Sequence, residues 1–426
     1  MKRLGRLKRL MFMFAFMFTF GAKALDGGAP ALSFEEAYER ILGRNLEVQS
    51  QQLTVETFRA KKLGRVGAFT PSLSVVGQET KNNTSDPFLT RDSAAVTLGA
   101  NLFRSGTDFA ALKAANRDID ASEESLKNEK LKAEDDAATT LINFIARTRE
   151  RELISQIVQL KQESVKIAHE RYAKGLLPQQ EVDKTQIDLD NSKARLIDAD
   201  VNLATARAAV SSRLGAFQNV NLDWPWKGAI VSGPRPEALD FKLENRPDFR
   251  AQVQTLEAES WRRHASRSLL LPSLDLTASY GNLDLSNRDR RDWSALLTLT
   301  IPLFEQFQGY SAARQQTLAK QQAEIAREMI VRNAGAEVES YRTNFAEARE
   351  SAVARERTSK LTQRLFSDNL QRFRLGRASA NELALDQSRL LEAEILEVEG
   401  WSGAHLSFVK LCHALGHNVT AGGSCQ

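Results

Sequence analysis

The sequence predicts a mainly α-helical chain with a small β part, written twice over. Three observations predict it: punctuation that recurs at one fixed offset, two long stretches free of Gly and Pro, and short segments of strict two-residue alternation.

The repeat comes first, because it organises everything else. Pro71-Ser72-Leu73 recurs 201 residues later as Pro272-Ser273-Leu274. Leu102-Phe103 recurs at the same offset as Leu303-Phe304, Gly175 as Gly376, Glu181 as Glu382, and Leu214-Gly215 as Leu415-Gly416. The series needs no gap. Each copy reads as a short opening helix, two strands, a very long helix, a Gly-marked break and a second long helix. The first opening helix starts at Ser33, with Glu36 three residues on, the pattern of a capping box. The boundaries are residues 25–215 for the first repeat, 216–243 for a linker, 244–416 for the second repeat and 417–426 for a tail. The linker carries Pro225, Pro234, Pro236, Trp224 and Trp226, and breaks helical periodicity.

The strand segments alternate apolar and small polar residues. Leu274, Leu276, Ala278 and Tyr280 share one face against Asp275, Thr277 and Ser279. Trp293, Ala295, Leu297, Leu299, Ile301 and Leu303 share a face against Ser294, Thr298 and Thr300. Ala94, Val96, Leu98, Ala100 and Leu102 oppose Ser93, Thr97 and Asn101. Each segment is about ten residues, enough for a tilted strand to cross a bilayer. Apolar outside and small polar inside is how a water-filled membrane barrel reads. Tyr280 and Trp293 stand near segment ends, where a membrane-facing aromatic girdle would lie. Four strands are too few to close a barrel alone, and an open edge is excluded in lipid. Several copies must therefore pool their strands. Three would give 12 strands, although counting alone also permits two or four.

The long segments read as coiled coil. No Gly or Pro lies between Gly106 and Gly175. If helical, that stretch spans on the order of 100 Å at 1.5 Å per residue. Val182, Leu189, Leu196, Leu203 and Val210 repeat every seven residues, as do Leu153, Leu160 and Ile167. The second copy is less strict, with Gly335 inside one long helix and Glu397 on its seam. Two short tips join the helix pairs: Tyr172-Ala173-Lys174-Gly175-Leu176-Leu177-Pro178 and Phe373-Arg374-Leu375-Gly376-Arg377. Gly there ends one helix, and Pro opens the next.

Residues 1–24 read as a secretory signal peptide. Lys2, Arg3, Arg6, Lys8 and Arg9 precede an uncharged run from Leu10 to Phe20, and Ala22-Lys23-Ala24 supplies a cleavage site. The segment holds six basic residues and no acidic one, so taking six from the net +4 leaves −2 for the remainder. No basic stripe remains to suggest nucleic-acid binding. The two cysteines, Cys412 and Cys425, are close enough in sequence for a disulfide in an exported compartment. Cys412, His413, His417 and Cys425 match no standard zinc spacing. No phosphate-binding loop or nucleophile elbow occurs, so neither an enzyme nor a cofactor is expected.

These residues resemble the outer-membrane efflux protein family, of which TolC is the best-known member. The resemblance covers nearly the whole chain after residue 24. Its marks are Leu32-Ser33-Phe34-Glu35-Glu36-Ala37 with Asn45, then Leu271-Pro272-Ser273-Leu274 and Ile301-Pro302-Leu303-Phe304. Arg171-Tyr172-Ala173-Lys174-Gly175-Leu176 with Glu181-Val182, and Arg372-Phe373 with Gly376 and Glu382-Leu383, mark the tips. The resemblance implies a homotrimer with one 12-stranded outer-membrane β-barrel and a long periplasmic α-barrel. It implies a passive conduit for multidrug efflux or type I secretion. Such conduits dock through their tips onto a periplasmic adaptor protein and an inner-membrane pump of RND, ABC or MFS type. Tyr172, Gly175, Leu176, Phe373, Gly376 and Arg377 would meet the adaptor, and Glu181, Glu382 and Asp386 would line a constriction. Phe373 and Ala378 depart from the Tyr and Arg that lock some members shut, with Arg377 adjacent. The rival reading is a soluble periplasmic coiled-coil adaptor or scaffold.

Overall fold

The computed structural model describes residues 32–82, 89–215, 224–225, 227, 230, 241–268, 271–282, 292–303, 307–375, 377, 380–419 and 425. The expected signal peptide, most of the linker, Phe304, Gly376 and Ala378 lie outside them.

The first copy opens with two helices rather than the single one expected. α1 (Phe34–Gly43) starts on the capping box: Ser33 Oγ accepts the Glu36 N–H at 3.1 Å and Glu36 accepts the Ser33 N–H at 3.3 Å. Asn45 then caps α2 (Leu46–Gly67), its side chain accepting the Val48 N–H at 2.9 Å. A second cap one residue after Arg44 satisfies a fresh set of first-turn donors, so the chain restarts instead of continuing. β1 (Ser72–Asn82), β2 (Leu89–Phe103), α3 (Thr107–Ala173) and α4 (Gln179–Leu214) complete this copy. After a short 3-10 turn, Leu243–Asn245, the second copy follows with α5 (Pro247–Ser268), β3 (Ser273–Asn282), β4 (Asp292–Thr300), α6 (Gln308–Arg374) and α7 (Ala380–Ala414). α3 and α6 are 67 residues each, about 100 Å of unbroken helix. Gly335 lies inside α6 without interrupting it.

The four strands form one antiparallel sheet in the order β1-β2-β3-β4. Its register carries the apolar alternation across every strand: Val75 faces Val96, Val96 faces Tyr280, and Tyr280 faces Trp293. The other face pairs Ser74 with Thr97, Thr97 with Ser279, and Ser279 with Ser294. One expectation fails. Asn101 faces Asp275, but Phe103 faces Leu274, so a bulge takes Leu102 out of the ladder. The extra residue reverses the alternation, and Phe103 replaces Leu102 in the row that ends at Leu274. β4 also stops at Thr300, ahead of Ile301 and Pro302, which has no N–H for a ladder.

The main core sits partway along the helices. Ile41 of α1, Leu141, Ile142 and Ile145 of α3, Val210 of α4, Val338 of α6 and Trp401, Leu411 and Leu415 around α7 are buried together. Two smaller clusters continue toward the tips, one around Ile154, Ile157, Ala199, Leu391 and Ile395, the other around Val158, Val165 and Leu189. On α4 the heptad residues Val182, Leu189, Leu203 and Val210 are buried, with Leu196 half-buried. On α3 the expected seam of Leu153, Leu160 and Ile167 is only half-buried, and Ile154, Ile157, Val158 and Val165 are buried instead. The reason is that α3 packs against both α4 and α7, so its buried stripe lies between two partners.

Candidate functional site

Three parts of the fold bear on function: the sheet, the helical tips and a charged waist beside the core. In the sheet, side chains that a soluble core would bury lie bare: Leu73 is 72% exposed, Val75 78%, Leu297 59% and Leu299 61%. Among the described residues no helix packs over this face, and none is long and apolar enough to cross a membrane. β1 and β4 each have one hydrogen-bonded neighbour, so both outer edges carry unpaired ladder groups. Tyr280 and Trp293 face each other at the hairpin end of β3 and β4 and are both exposed. At the opposite end, where strands meet helices, Phe69, Phe103, Phe109, Phe307 and Tyr310 are exposed as well. Sequence reading placed only the first aromatic group. The second became visible once the strand ends and their helical neighbours were fixed.

The tips share one closing hydrogen bond. In the first, the Gly175 N–H donates to the Tyr172 carbonyl at 2.8 Å and the Leu176 N–H reaches back to the Arg171 carbonyl at 2.9 Å. Gly175 has φ +69°, which a side chain would strain. In the second, the Arg377 N–H donates to the Arg372 carbonyl at 2.7 Å, the same bond 201 residues on. Tyr172, Leu176 and Leu375 are exposed apolar or aromatic side chains at these ends, and Arg377 is exposed beside them. Pro178 then caps α4 in an extended conformation. Nothing is described of the Phe373 side chain.

The three acidic residues read from the sequence sit in different surroundings. Glu181 is paired with Lys184 on its own helix at 2.6 Å. Glu382 is exposed in the first turn of α7. Asp386, half-buried, accepts a hydrogen bond from Asn369 across the hairpin and pairs with Arg389 at 3.3 Å. Asp386 therefore braces α6 against α7.

The waist holds charged groups that sequence reading missed. Arg44 donates to the Leu214 carbonyl, capping the C-terminus of α4. Arg246 donates to the Ala414 carbonyl at 3.2 Å, capping α7, and pairs with Asp248 and Glu337 at 2.8 Å each. One arginine thus closes the last helix of each copy. Their offset is 202 rather than 201, so a strict repeat search passes over them. Arg213 grips Asp136 through two guanidinium nitrogens. Burial pushes the Glu134 carboxyl up to about 7, against a hydrogen bond from the Val419 backbone that favours its charged form. His405 is fully buried, stacked on Trp224 with ring centres 5.2 Å apart, with Nδ1 2.6 Å from the Trp401 carbonyl and Nε2 2.5 Å from that of Pro225. Its imidazole ties the linker to α7, and burial lowers its pKa. His413, at the C-terminus of α7, is pushed toward its neutral form by burial. Cys412 and Cys425 are joined by a disulfide, with Cα atoms 5.3 Å apart. Among the described residues no group of three or more His, Cys, Asp or Glu could hold a metal ion.

Comparison with known proteins gives this geometry a family. The model of the outer membrane efflux protein family matches residues 37–216 and 239–417, one match for each copy. The cobalt-zinc-cadmium resistance protein CzcC of Cupriavidus metallidurans is 29% identical over 174 residues, covering 39% of this chain and 40% of that protein. The outer membrane protein OprJ of Pseudomonas aeruginosa is 26% identical over 186 residues, covering 41% of this chain and 37% of that protein. The matched segments thus span about two fifths of these relatives. The fold is shared over far more: the outer membrane channel CmeC of Campylobacter jejuni superposes with a TM-score of 0.75 at 16% identity, over 92% of this chain and 86% of that one. With both copies matched in order and the whole architecture superposing, this chain belongs to the outer membrane efflux protein family.

Proposed function

We propose that three copies of this chain form an outer-membrane efflux channel: a 12-stranded barrel in the membrane, continued by a helical tube through the periplasm. The observation that carries this is the sheet. It exposes one continuous apolar face and has two open edges. Hydrocarbon covers such a face, and only closure by identical neighbours satisfies the edges there. The soluble-adaptor reading leaves the face uncovered.

Transport through the channel is passive. A periplasmic adaptor and an inner-membrane pump supply opening and energy, and the tips are the docking end, because they present Tyr172, Leu176, Leu375 and Arg377 to solvent. Near them Glu382, repeated three times round a narrow bore, favours cations over anions.

Outer-membrane extract run on a denaturing gel without heating tests the assembly. A trimer that collapses to monomer on boiling supports it, and recovery of the protein solely from the soluble periplasm counts against it. Conductance across planar bilayers tests the constriction. Glu382→Gln raises anion permeability, and unchanged selectivity removes Glu382 from that role.

A further inference from the structure

The junction of sheet and helices carries a pattern that a bare conduit does not require. α3 and α6 each leave the sheet with an exposed aromatic residue and, four positions on, an exposed cation: Phe109 with Lys113, and Tyr310 with Arg314. The two pairs stand 201 residues apart, the offset of the repeat. Residues four apart share one helix face, about 6 Å apart along the axis. Lys113 Nζ sits 5.4 Å from the centre of the Phe109 ring. α5 adds Trp261, edge to face on Phe109 at 6.4 Å, and an exposed Arg267 in its last turn.

Arg104 shows which side of the wall this is. It donates to Asn101 at 2.8 Å and lies 3.9 Å from Asp275, and those two residues face each other on the polar side of the sheet. A groove of about 960 Å³ continues that side, lined by Asp108, Ala111 and Asp118 of α3, Arg262 of α5, and Gln315 and Gln316 of α6. None of Phe109, Lys113, Trp261, Arg267, Tyr310 and Arg314 borders it. They occupy the side on which the sheet is apolar, where Phe103 faces Leu274 and Leu274 faces Leu299.

We infer that this outer collar binds the headgroups of anionic phospholipids in the membrane leaflet that faces the periplasm. The inference rests on the channel proposed above and adds a partner to it. Down the outside of one copy, apolar strand residues give way to aromatics at the strand ends, and then to Lys113 and Arg314 one helical turn below. Hydrocarbon, interface and phosphate follow in the same order across half a bilayer. Long basic side chains lay their stems along apolar surface and hold their charge among the headgroups.

The charges of the collar are free for this. Among the described residues Lys113, Arg267 and Arg314 form no ion pair. No acidic residue occurs in 260–268 except beyond its start, and none in 308–320; within 107–116 the single one, Asp108, borders the groove on the other side. The arginines that α5 and the start of α3 turn toward the groove are paired instead, Arg104 with Asp108 at 4.0 Å and Arg262 with Asp118 at 2.5 Å. Three copies would set six aromatic–cation pairs around the rim.

Reconstitution of the full-length protein tests this. In vesicles of phosphatidylglycerol the midpoint of heat dissociation, read as loss of trimer on an unboiled gel, should lie above that in phosphatidylcholine with the same acyl chains. The gap should shrink as salt is added. Lys113→Gln with Arg314→Gln should close most of the gap and leave the phosphatidylcholine midpoint unchanged. Lys113→Arg with Arg314→Lys should keep it. Should the double variant not assemble, Arg314→Gln alone should close part of the gap. Inorganic phosphate added to the parent in detergent should not raise the midpoint; a rise as large as that in phosphatidylglycerol overturns the lipid as occupant. A parent trimer without a gap, or a gap undiminished in the variants, overturns the collar and leaves the channel standing. A parent protein that forms no trimer in either lipid overturns the channel reading as well.

Discussion

The waist and the sheet obey opposite rules. At the waist, α1, α3, α4, α6 and α7 bury Leu141, Ile142, Ile145, Trp401 and Leu411 almost completely within one chain. In the sheet, residues of the same type stand in the open, with Leu73 and Val75 more than two thirds exposed. Hydrophobicity is similar in both places; what differs is whether the chain can cover the residue itself. The waist supplies the stability a single chain generates. The sheet is a half-built surface, and in the channel proposed above lipid and a neighbouring copy supply the rest.

That contrast predicts where damage appears. Trp401→Ala should remove about 3–5 kcal/mol, read as a large drop in the thermal midpoint of the helical signal, before and after trimer assembly alike. A small drop would mean that the waist relaxes around the gap. Next in size, Leu297→Arg places a charge on the lipid face and should cost about 2–4 kcal/mol if it lies near mid-bilayer. Its mark is loss of heat-modifiable trimer with the isolated chain's helix content unchanged. Equal loss of both would erase the distinction between the two regions.

Glu134 sharpens the account of the waist. Its carboxyl is raised from near 4.5 to about 7 by burial, so the folded state holds a proton that the unfolded chain gives up. Stability should fall as pH rises through that window and level off above it. Glu134→Gln, neutral throughout, should flatten the slope in a pH series of melting midpoints; an unchanged slope assigns it to another group. The smallest effect belongs to the tips. The Glu181–Lys184 pair is exposed and one turn apart. Glu181→Gln should shift stability by less than about 0.5 kcal/mol, and a large shift would show that the tip is knit more tightly than its surface pairs suggest.

Much of this was legible in the residues. Ser33 with Glu36 and Gly175 before Pro178 act within a few positions of themselves, so their caps and turn follow from local chemistry. The alternation of Leu274, Leu276, Ala278 and Tyr280 fixes a strand because side chains on a strand alternate by necessity. The fixed 201-residue offset gave two equivalent halves before any contact was known.

Tertiary structure alone decided what depends on partners distant in sequence. The bulge at Leu102 lies beyond Gly99, where the pairing of β2 with β1 ends, and shows only in how β2 meets β3. The buried stripe of α3 shifts from Leu153, Leu160 and Ile167 because two helices press on it from different sides. Arg44 and Arg246 find carbonyls about 170 residues away. Local order is written in neighbouring residues; which long-range surface each one meets is set by the packing of the whole chain.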